Sequence, residues 1–522
     1  MKVELYDTTL RDGAQTQGIS FSVSDKLRIV EKLDNLGIHY IEGGWPGANP
    51  KDVTFFKKAK KLKLKNSKLV AFGSTRRAGT SASGDGTLKG LLASGVDVIT
   101  IFGKSWDLHV RTVLKTTEEE NLKMIKESVN FLKSKGKFVI FDAEHFFDGY
   151  KDNSDYAIKT LTAACSAGAD RIVLCDTNGG SITSTIFAVV EKVKKEIETP
   201  LGMHAHNDSD MAVANSLAAV QAGCSHVQGT INGYGERCGN ANLVSIIANL
   251  KVKMGAPCIS DLNLKELTEV AHYVAEISNM RLSDNQPFVG SSAFAHKAGV
   301  HVNAMMKDPR SYEHMDPARV GNRRKLLISE LSGKSSLLEK AREIQLDLDK
   351  DAPGTKKILK MLQEMEHKGY HFEAAEASLE IFMKRSMKRF KEFFTLKDFR
   401  VIIEKKVKGK IVSEATIKLK VDGKLEHTAS LGDGPVNALD NALRKALKEF
   451  YPSLNEMHLT DFKVRVLDEK AGTAAKVRVL IQSQDKTDTW WTIGVSENII
   501  EASWQALVDS VEYKLLKDSE KK

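Results

Sequence analysis

Two histidines flank a single alanine in the stretch Met203-His204-Ala205-His206-Asn207-Asp208. On a strand, residues i and i+2 point to one face, so His204 and His206 can reach one ion while Ala205 packs the other way. The competing reading is a half-buried strand whose polar side holds two hydrogen-bonded histidines. Two other stretches bear on the choice. Asp12 stands in "LYDTTLRDGAQT", directly after Arg11, and Asn240 closes "GYGERCGN". One Asp, two His and one Asn, with no cysteine, form a donor set for Mg2+, Mn2+ or a catalytic Zn2+ rather than a structural zinc.

These residues need elements that bring them together. The first 250 residues repeat one unit, a short apolar β-branched run ending in polar or glycine residues, then a helical stretch. The runs are "VELYDTTLRDG", "IHYIEGG", "KLVAFGST", "VDVITIFGKS", "KFVIFDAEH", "DRIVLCDTNGG", "PLGMHAHND" and "HVQGTINGYGER". Between them lie helix patterns such as "SDKLRIVEKLDNLG", where Ser24 can cap the start and Gly37 can end the helix. Eight βα units in series predict a (β/α)8 TIM barrel. The alternative is an open doubly wound sheet, but the first strand lacks the glycine-rich phosphate turn common in that fold.

A barrel gathers chemistry at the C-terminal ends of its strands. Arg11, Asp12, Glu42, Ser74, Thr75, Lys104, Asp142, Glu144, Asp176, Thr177, His204, His206, Asn232, Glu236, Arg237 and Asn240 all fall there. Packing alone would not select so many ionisable groups at one mouth. Closure of strand 8 onto strand 1 would set Asp12 beside the two histidines, with Asn240 supplying an amide oxygen from the following loop. For Asp12 alone, a salt bridge to Arg11 or a capping role is the simpler reading; with H-x-H and "GYGERCGN" present, metal ligation is preferred.

Composition narrows the class. The chain has 522 residues, enough for two or three domains. Five scattered cysteines without a C-x-x-C pair argue against a disulfide framework and for a reducing cytoplasm. No run is apolar and long enough to span a bilayer, and Met1–Tyr6 reads as a strand with no signal segment before it. The net charge is +9, but basic and acidic residues are interleaved. The run from Lys57 to Lys68 reads as the solvated end of a helix, so neither a nucleic-acid nor a membrane partner is expected.

The organisation expected is a catalytic barrel over 1–256, a helical linker over 257–391 and a C-terminal domain over 392–522. In the linker, "DLNLKELTEVAHYVAEISN" reads as one amphipathic helix with Leu264, Leu267, Val270, Val274 and Ile277 on a face. "SSLLEKAREIQLDL", "TKKILKMLQEMEHKG" and "FEAAEASLEIFMKRSM" read as helices, and "FAHKAGVHVNAM" as a glycine-broken, histidine-rich segment. The last 130 residues contain a βββα unit twice, a βββαβββα domain whose halves each need a partner for an apolar face. It reads as a ligand-binding or dimerising module.

"LYDTTLRDGAQT", "HAHND" and "GYGERCGNANL" together resemble the metal-dependent acyl-transferring (β/α)8 barrels, the isopropylmalate, homocitrate and citramalate synthases, with hydroxymethylglutaryl-CoA lyase more distant. "IEGGWPGANPKD" and "FDAEHFFDGYKDN" look more like the long-form citramalate synthases than isopropylmalate synthases, and the tail resembles their feedback-regulatory domain. The resemblance implies a Claisen condensation. Acetyl-CoA, the co-substrate, loses a methyl proton, its enolate attacks a 2-keto acid held by the divalent metal, and the thioester is hydrolysed. Arg11 would stabilise charge developing on oxygen, or pair with a barrel carboxylate such as Glu144. Glu144 and His301 would serve proton transfer, Tyr312 would assist His301, and Thr177 would bind the substrate carboxylate. His296 is a rival to His301. Asn303 stands in "AGVHVNA" where the family frequently has an acid.

Asp142 shares a face with Glu144, near the keto acid's side chain, where its charge calls for Arg76 or Arg77 as a partner. The resemblance further implies pyruvate as substrate, isoleucine as feedback inhibitor and a homodimer in which His301 acts in trans. The alternatives are an isopropylmalate synthase using 2-ketoisovalerate, a CoA lyase, and a non-catalytic amino-acid sensor that keeps the barrel for packing.

Overall fold

A computed structural model of the chain describes residues 2–296, 299–326, 353–405, 407, 409–467 and 475–520. Its first eight strands are β1 (Glu4–Asp7), β2 (Tyr40–Gly44), β3 (Lys68–Ser74) and β4 (Val98–Lys104), then β5 (Phe138–Glu144), β6 (Arg171–Asp176), β7 (Leu201–Ala205) and β8 (His226–Gly229). They pair in parallel in chain order and close as a barrel, with Glu4 to Asp7 in register with His226 to Gly229. Each run singled out in the sequence contains one of these strands.

The pleat sorts the side chains. Outward residues such as Ile41, Ala71, Ile99, Phe141, Leu174, Met203, Ala205 and Val227 join the large core beneath the helices. Tyr6, Tyr40, Val70, Val98, Ile140, Val173 and Cys175 form a separate inner cluster. Both faces of each strand are therefore buried, as an all-parallel sheet covered by helices requires. The same alternation turns Asp142, Glu144, His204 and Gln228 inward.

The helix α1 (Val23–Leu36) begins two residues earlier than Ser24 as cap implies. Ser22 is the cap, accepting from the Asp25 amide, while Asp25 accepts from the Ser22 amide. The reason is the reciprocal pair: an acid three residues after Ser22 completes a capping box. Gly37 ends α1 as expected, at φ 90°, where glycine alone is unstrained.

The residues compose two compact units. One comprises Met1–Phe294 and His314–Arg324, the other Ala295–Glu313 and Lys325–Lys522. The amphipathic run after Pro257 is not one helix. It forms Asp261–Leu264 and Leu267–Ile277, broken where the Lys265 amide turns back to the Leu262 carbonyl. The apolar face survives the break, with Leu264, Leu267, Val270 and Val274 buried. The helix expected over "SSLLEKAREIQLDL" lies outside the described residues. "TKKILKMLQEMEHKG" falls in the helix Pro353–His367, and "FEAAEASLEIFMKRSM" forms a short 3-10 turn followed by Glu376–Ser386.

The repeat near the C-terminus folds as two antiparallel three-stranded sheets. Thr395–Lys405, Ile411–Val421 and Lys424–Gly432 precede the helix Pro435–Leu447. His458–Val466, Val477–Gln484 and Thr489–Ser496 precede the helix Ile499–Glu520. Ala415, Ile417, Leu419, Leu439, Leu443, Trp504, Leu507 and Val511 meet in one core. No helix among the described residues is long and apolar enough to cross a membrane.

Candidate metal centre and active site

Asp12, His204 and His206 meet at the mouth of the barrel. Their donor atoms all lie within 4.8 Å of one another, and all three residues are buried. His204 Nε2 is 3.4 Å and His206 Nε2 4.0 Å from Asp12 Oδ2. The meeting follows from two local features. His204 ends on β7 pointing inward, and β8 closes onto β1, whose following loop carries Asp12. Past β7, His206 forms an isolated antiparallel bridge with Asn240, so the glycine-rich loop after β8 folds back across the mouth.

Asn240 Nδ2 donates to Asp12 Oδ2 at 2.7 Å, while its Oδ1 is buried without a hydrogen-bond partner. Buried polar atoms are nearly always paired, so an orphaned oxygen beside a carboxylate and two imidazoles is the signature of a cation site. Electrostatics agree. Burial works against the Asp12 carboxylate, but Arg11 and both histidines outweigh it and hold its pKa at about 2. Burial depresses His204, and burial together with His204 lowers His206 to about 3, so both rings are neutral near pH 7, the form that binds a metal. The residues present therefore fit a divalent ion with one carboxylate, two imidazoles and one amide, and no thiolate.

Arg11 lies beside this group. Its Nε donates to Glu42 Oε1 at 2.5 Å, its Nη1 is 3.3 Å from Asp12 Oδ1, and its guanidinium lies 3.8 Å over the Phe72 ring. Glu42 is fully buried and also accepts from the Tyr6 hydroxyl at 2.5 Å. Besides Asp12, the carboxylate that pairs with Arg11 is thus Glu42, not Glu144. Glu144, at the end of β5, forms an ion pair with Lys104 at the end of β4. Asp142 does not pair with Arg76, which is held by Glu120 and Glu127. Asp142 Oδ1 instead accepts from Gln228 Nε2 at 3.0 Å, and burial drives its pKa well up.

Thr177 follows β6. Its hydroxyl oxygen accepts from the His145 amide at 2.9 Å, so its proton remains free to donate. His145 reaches it by taking φ 56° at the end of β5. Arg237 clamps the mouth, with two bonds to Asp208 at 2.7 and 2.9 Å and one to the Thr177 carbonyl at 2.7 Å. This explains Asp208 in the opening stretch: it holds the "GYGERCGN" loop down. Gly235 makes the close approach possible, since a Cβ there would sit 1.9 Å from Asn240 Oδ1.

His301 and Tyr312 belong to the second unit and pair with each other. Their rings stack with centroids 4.1 Å apart. His296 meets Glu313 at 3.1 Å in the same unit. The sequence places Glu42 and Lys104 at strand ends but does not show their partners, and Gln228 does not stand out in it. Gln228 sits two residues after His226 on the inward face of β8, and that alternation was the available signal.

Family comparisons agree with this geometry. The HMGL-like model matches residues 2–274, the model described as homocitrate synthase post-HMGL domain-like matches 288–369, and the LeuA allosteric (dimerisation) domain matches 373–515. The (R)-citramalate synthase of Aquifex aeolicus is 57% identical over 99% of this chain and 99% of its own length. That of Geobacter sulfurreducens is 57% identical over 99% of this chain and 98% of its own. A 2-isopropylmalate synthase of Methanocaldococcus jannaschii is 30% identical over 100% of this chain and 96% of its own. Within the HMGL-like proteins, the chain belongs to the (R)-citramalate synthase family.

Proposed function

We propose that this chain condenses acetyl-CoA with pyruvate and hydrolyses the thioester, so that acetyl-CoA, pyruvate and water give citramalate and CoA. The observation that carries the reading is the buried Asp12–His204–His206 group beside Arg11, in a chain whose full-length relatives at 57% identity are named (R)-citramalate synthases. Asp12, His204, His206 and Asn240 would hold Mg2+ or Mn2+, and the chemistry supplied there would be Lewis-acid polarisation of the keto carbonyl. Arg11, fixed by Glu42 and the Phe72 face, stabilises charge that develops on the keto oxygen. Thr177 donates to the substrate carboxylate. Glu144, oriented by Lys104, would take part in removing the acetyl methyl proton, and His301, stacked on Tyr312, would serve proton transfer in trans, on the barrel of a second copy of this chain.

A small keto acid suits the mouth. Trp45, Phe72 and Phe102 pack together with centroids 5.5 to 5.9 Å apart, and Arg11 lies on Phe72. This aromatic wall at the ends of β2, β3 and β4 would limit the side chain of a keto acid bound beside Arg11.

In the second unit, a cavity of about 280 Å³ is lined by Tyr370, Phe372, Trp504 and Ile493, with Arg385 and Asp509 also at its edge. Arg385 and Asp509 pair with each other at 3.5 Å, and an amino acid such as isoleucine, as feedback inhibitor, would part them to take its carboxylate and ammonium. A homodimer is supported by Ile402, Val412, Leu425 and Leu431, exposed on the face of the first three-stranded sheet away from its helix. The chain would work in the cytoplasm. The test is thiol release from acetyl-CoA across pyruvate, 2-ketobutyrate, 2-ketoisovalerate and 2-ketoglutarate, with the product identified by mass. Preference for pyruvate with citramalate formed is expected. Preference for 2-ketoisovalerate would keep the mechanism and overturn the substrate, and thiol release with none of them would overturn the condensation.

A further inference from the structure

Behind the metal group runs a buried polar chain to which the proposed reaction assigns no role. His204 Nδ1 meets Gln228 Oε1 at 2.9 Å, and Gln228 Nε2 donates to Asp142 Oδ1 at 3.0 Å. All three residues are buried, and Gln228 is fully so. A neutral imidazole carries its proton on one nitrogen and a lone pair on the other. Which nitrogen holds the proton depends on what faces it. Asp142 Oδ1 accepts from Gln228 Nε2, as a carboxylate oxygen or, in the neutral acid, as the carbonyl oxygen with the proton on Oδ2, and this contact turns the amide nitrogen of Gln228 towards Asp142. The amide oxygen is then turned to His204, where it can only accept. In this arrangement the proton sits on Nδ1, and the Nε2 lone pair is left for an ion held with Asp12.

We propose that Gln228 and Asp142 are positioning residues that set the tautomer and ring orientation of His204 for metal binding. Asp142 thus acts through His204 rather than on the keto acid's side chain. The inference rests on the metal reading above, and the two can fail separately. The contacts join β5, β7 and β8 across the barrel interior, over sequence separations of 24 and 86 residues.

The test measures Mn2+ binding by calorimetry on chelator-treated protein, with folding checked by circular dichroism. Gln228→Leu keeps the volume and removes the acceptor; it should bind Mn2+ about 10–100-fold more weakly, the usual effect of losing such a partner. Gln228→Glu keeps an acceptor oxygen for Nδ1 and can share a proton with Asp142, so it should bind within threefold of the wild type. A Gln228→Leu protein that binds Mn2+ as tightly as the wild type, or equal losses in both variants, would overturn the proposal. A readout on the unaltered protein guards against misfolded variants. Apoprotein labelled with 15N-histidine should show His204 protonated at Nδ1, its signal assigned with His204→Asn; protonation at Nε2 would overturn the proposal. Wild-type protein that binds no Mn2+ but carries the Nδ1 proton would instead overturn the metal reading.

Discussion

Replacing Arg11 by lysine keeps the positive charge and removes the shape. The guanidinium serves Glu42 at 2.5 Å, Asp12 at 3.3 Å and the Phe72 face at 3.8 Å at once. An ammonium is a point charge on a flexible stem and cannot make this fork and stack together. Lysine can keep one bond to the fully buried Glu42, so the losses are one charge-assisted hydrogen bond and the stacking. The bond is worth about 1.5–3 kcal/mol. The stacking adds about 0.5–2 kcal/mol. The folded barrel should therefore lose about 2–5 kcal/mol, visible as a lower thermal midpoint. Catalysis should suffer separately. Removing one donor aimed at a developing oxyanion costs about 10²–10³ in kcat. The assay is thiol release at saturating pyruvate and acetyl-CoA, with KM for pyruvate measured alongside. The expected result is a fall in kcat much larger than any rise in KM. An Arg11→Lys protein with kcat within threefold of the wild type and the same thermal midpoint would refute the reasoning.

Gly235→Ala should displace Asn240, because the added Cβ would stand 1.9 Å from Oδ1; weaker Mn2+ binding and at least tenfold lower thiol release are expected, and unchanged binding would count against Asn240 as a ligand. Phe102→Leu should open the aromatic wall and raise kcat/KM for 2-ketobutyrate relative to pyruvate by about tenfold, since one methylene in an apolar pocket is worth about 1–3 kcal/mol; an unchanged ratio would remove the wall from the specificity account. Burial alone would raise the Glu4 pKa, but His226 and Arg171 outweigh it and lower it from 4.5 to about 2. A lowered acid pKa stabilises the folded state above the unfolded value of 4.5, and this contribution fades as pH falls through about 2. The difference in urea midpoint between wild type and Glu4→Gln should therefore shrink on acidification from pH 7 towards pH 2.5, and a constant difference would contradict the assignment.

Much of the barrel was legible because its signals are local. Each strand run carries its own β-branched residues and its own polar end, and the period-2 alternation of "MHAHND" alone turns His204 and His206 to one side. The closure of β8 on β1 brings Asp12 to them, and that follows once eight units are counted. What was not legible depends on register between distant strands. Arg11 finds Glu42 rather than Glu144, Lys104 finds Glu144, and Gln228 bridges His204 to Asp142. Each contact requires knowing which inward side chains share a layer, and no spacing within one strand encodes that. The misplaced helix start at Ser22 and the break at Lys265 have the same origin on a smaller scale, because capping and turn bonds compete with a periodic pattern that reads straight through them.

The measurement that bears most directly on the central claim is thiol release from acetyl-CoA with pyruvate, followed before chelation, after it, and after Mn2+ is returned to the same sample. If Asp12, His204, His206 and Asn240 hold the ion on which the condensation depends, release should stop with chelator and recover with Mn2+, and Asp12→Asn should fail to recover. Thiol release that continues unchanged in chelator-treated protein would contradict the account.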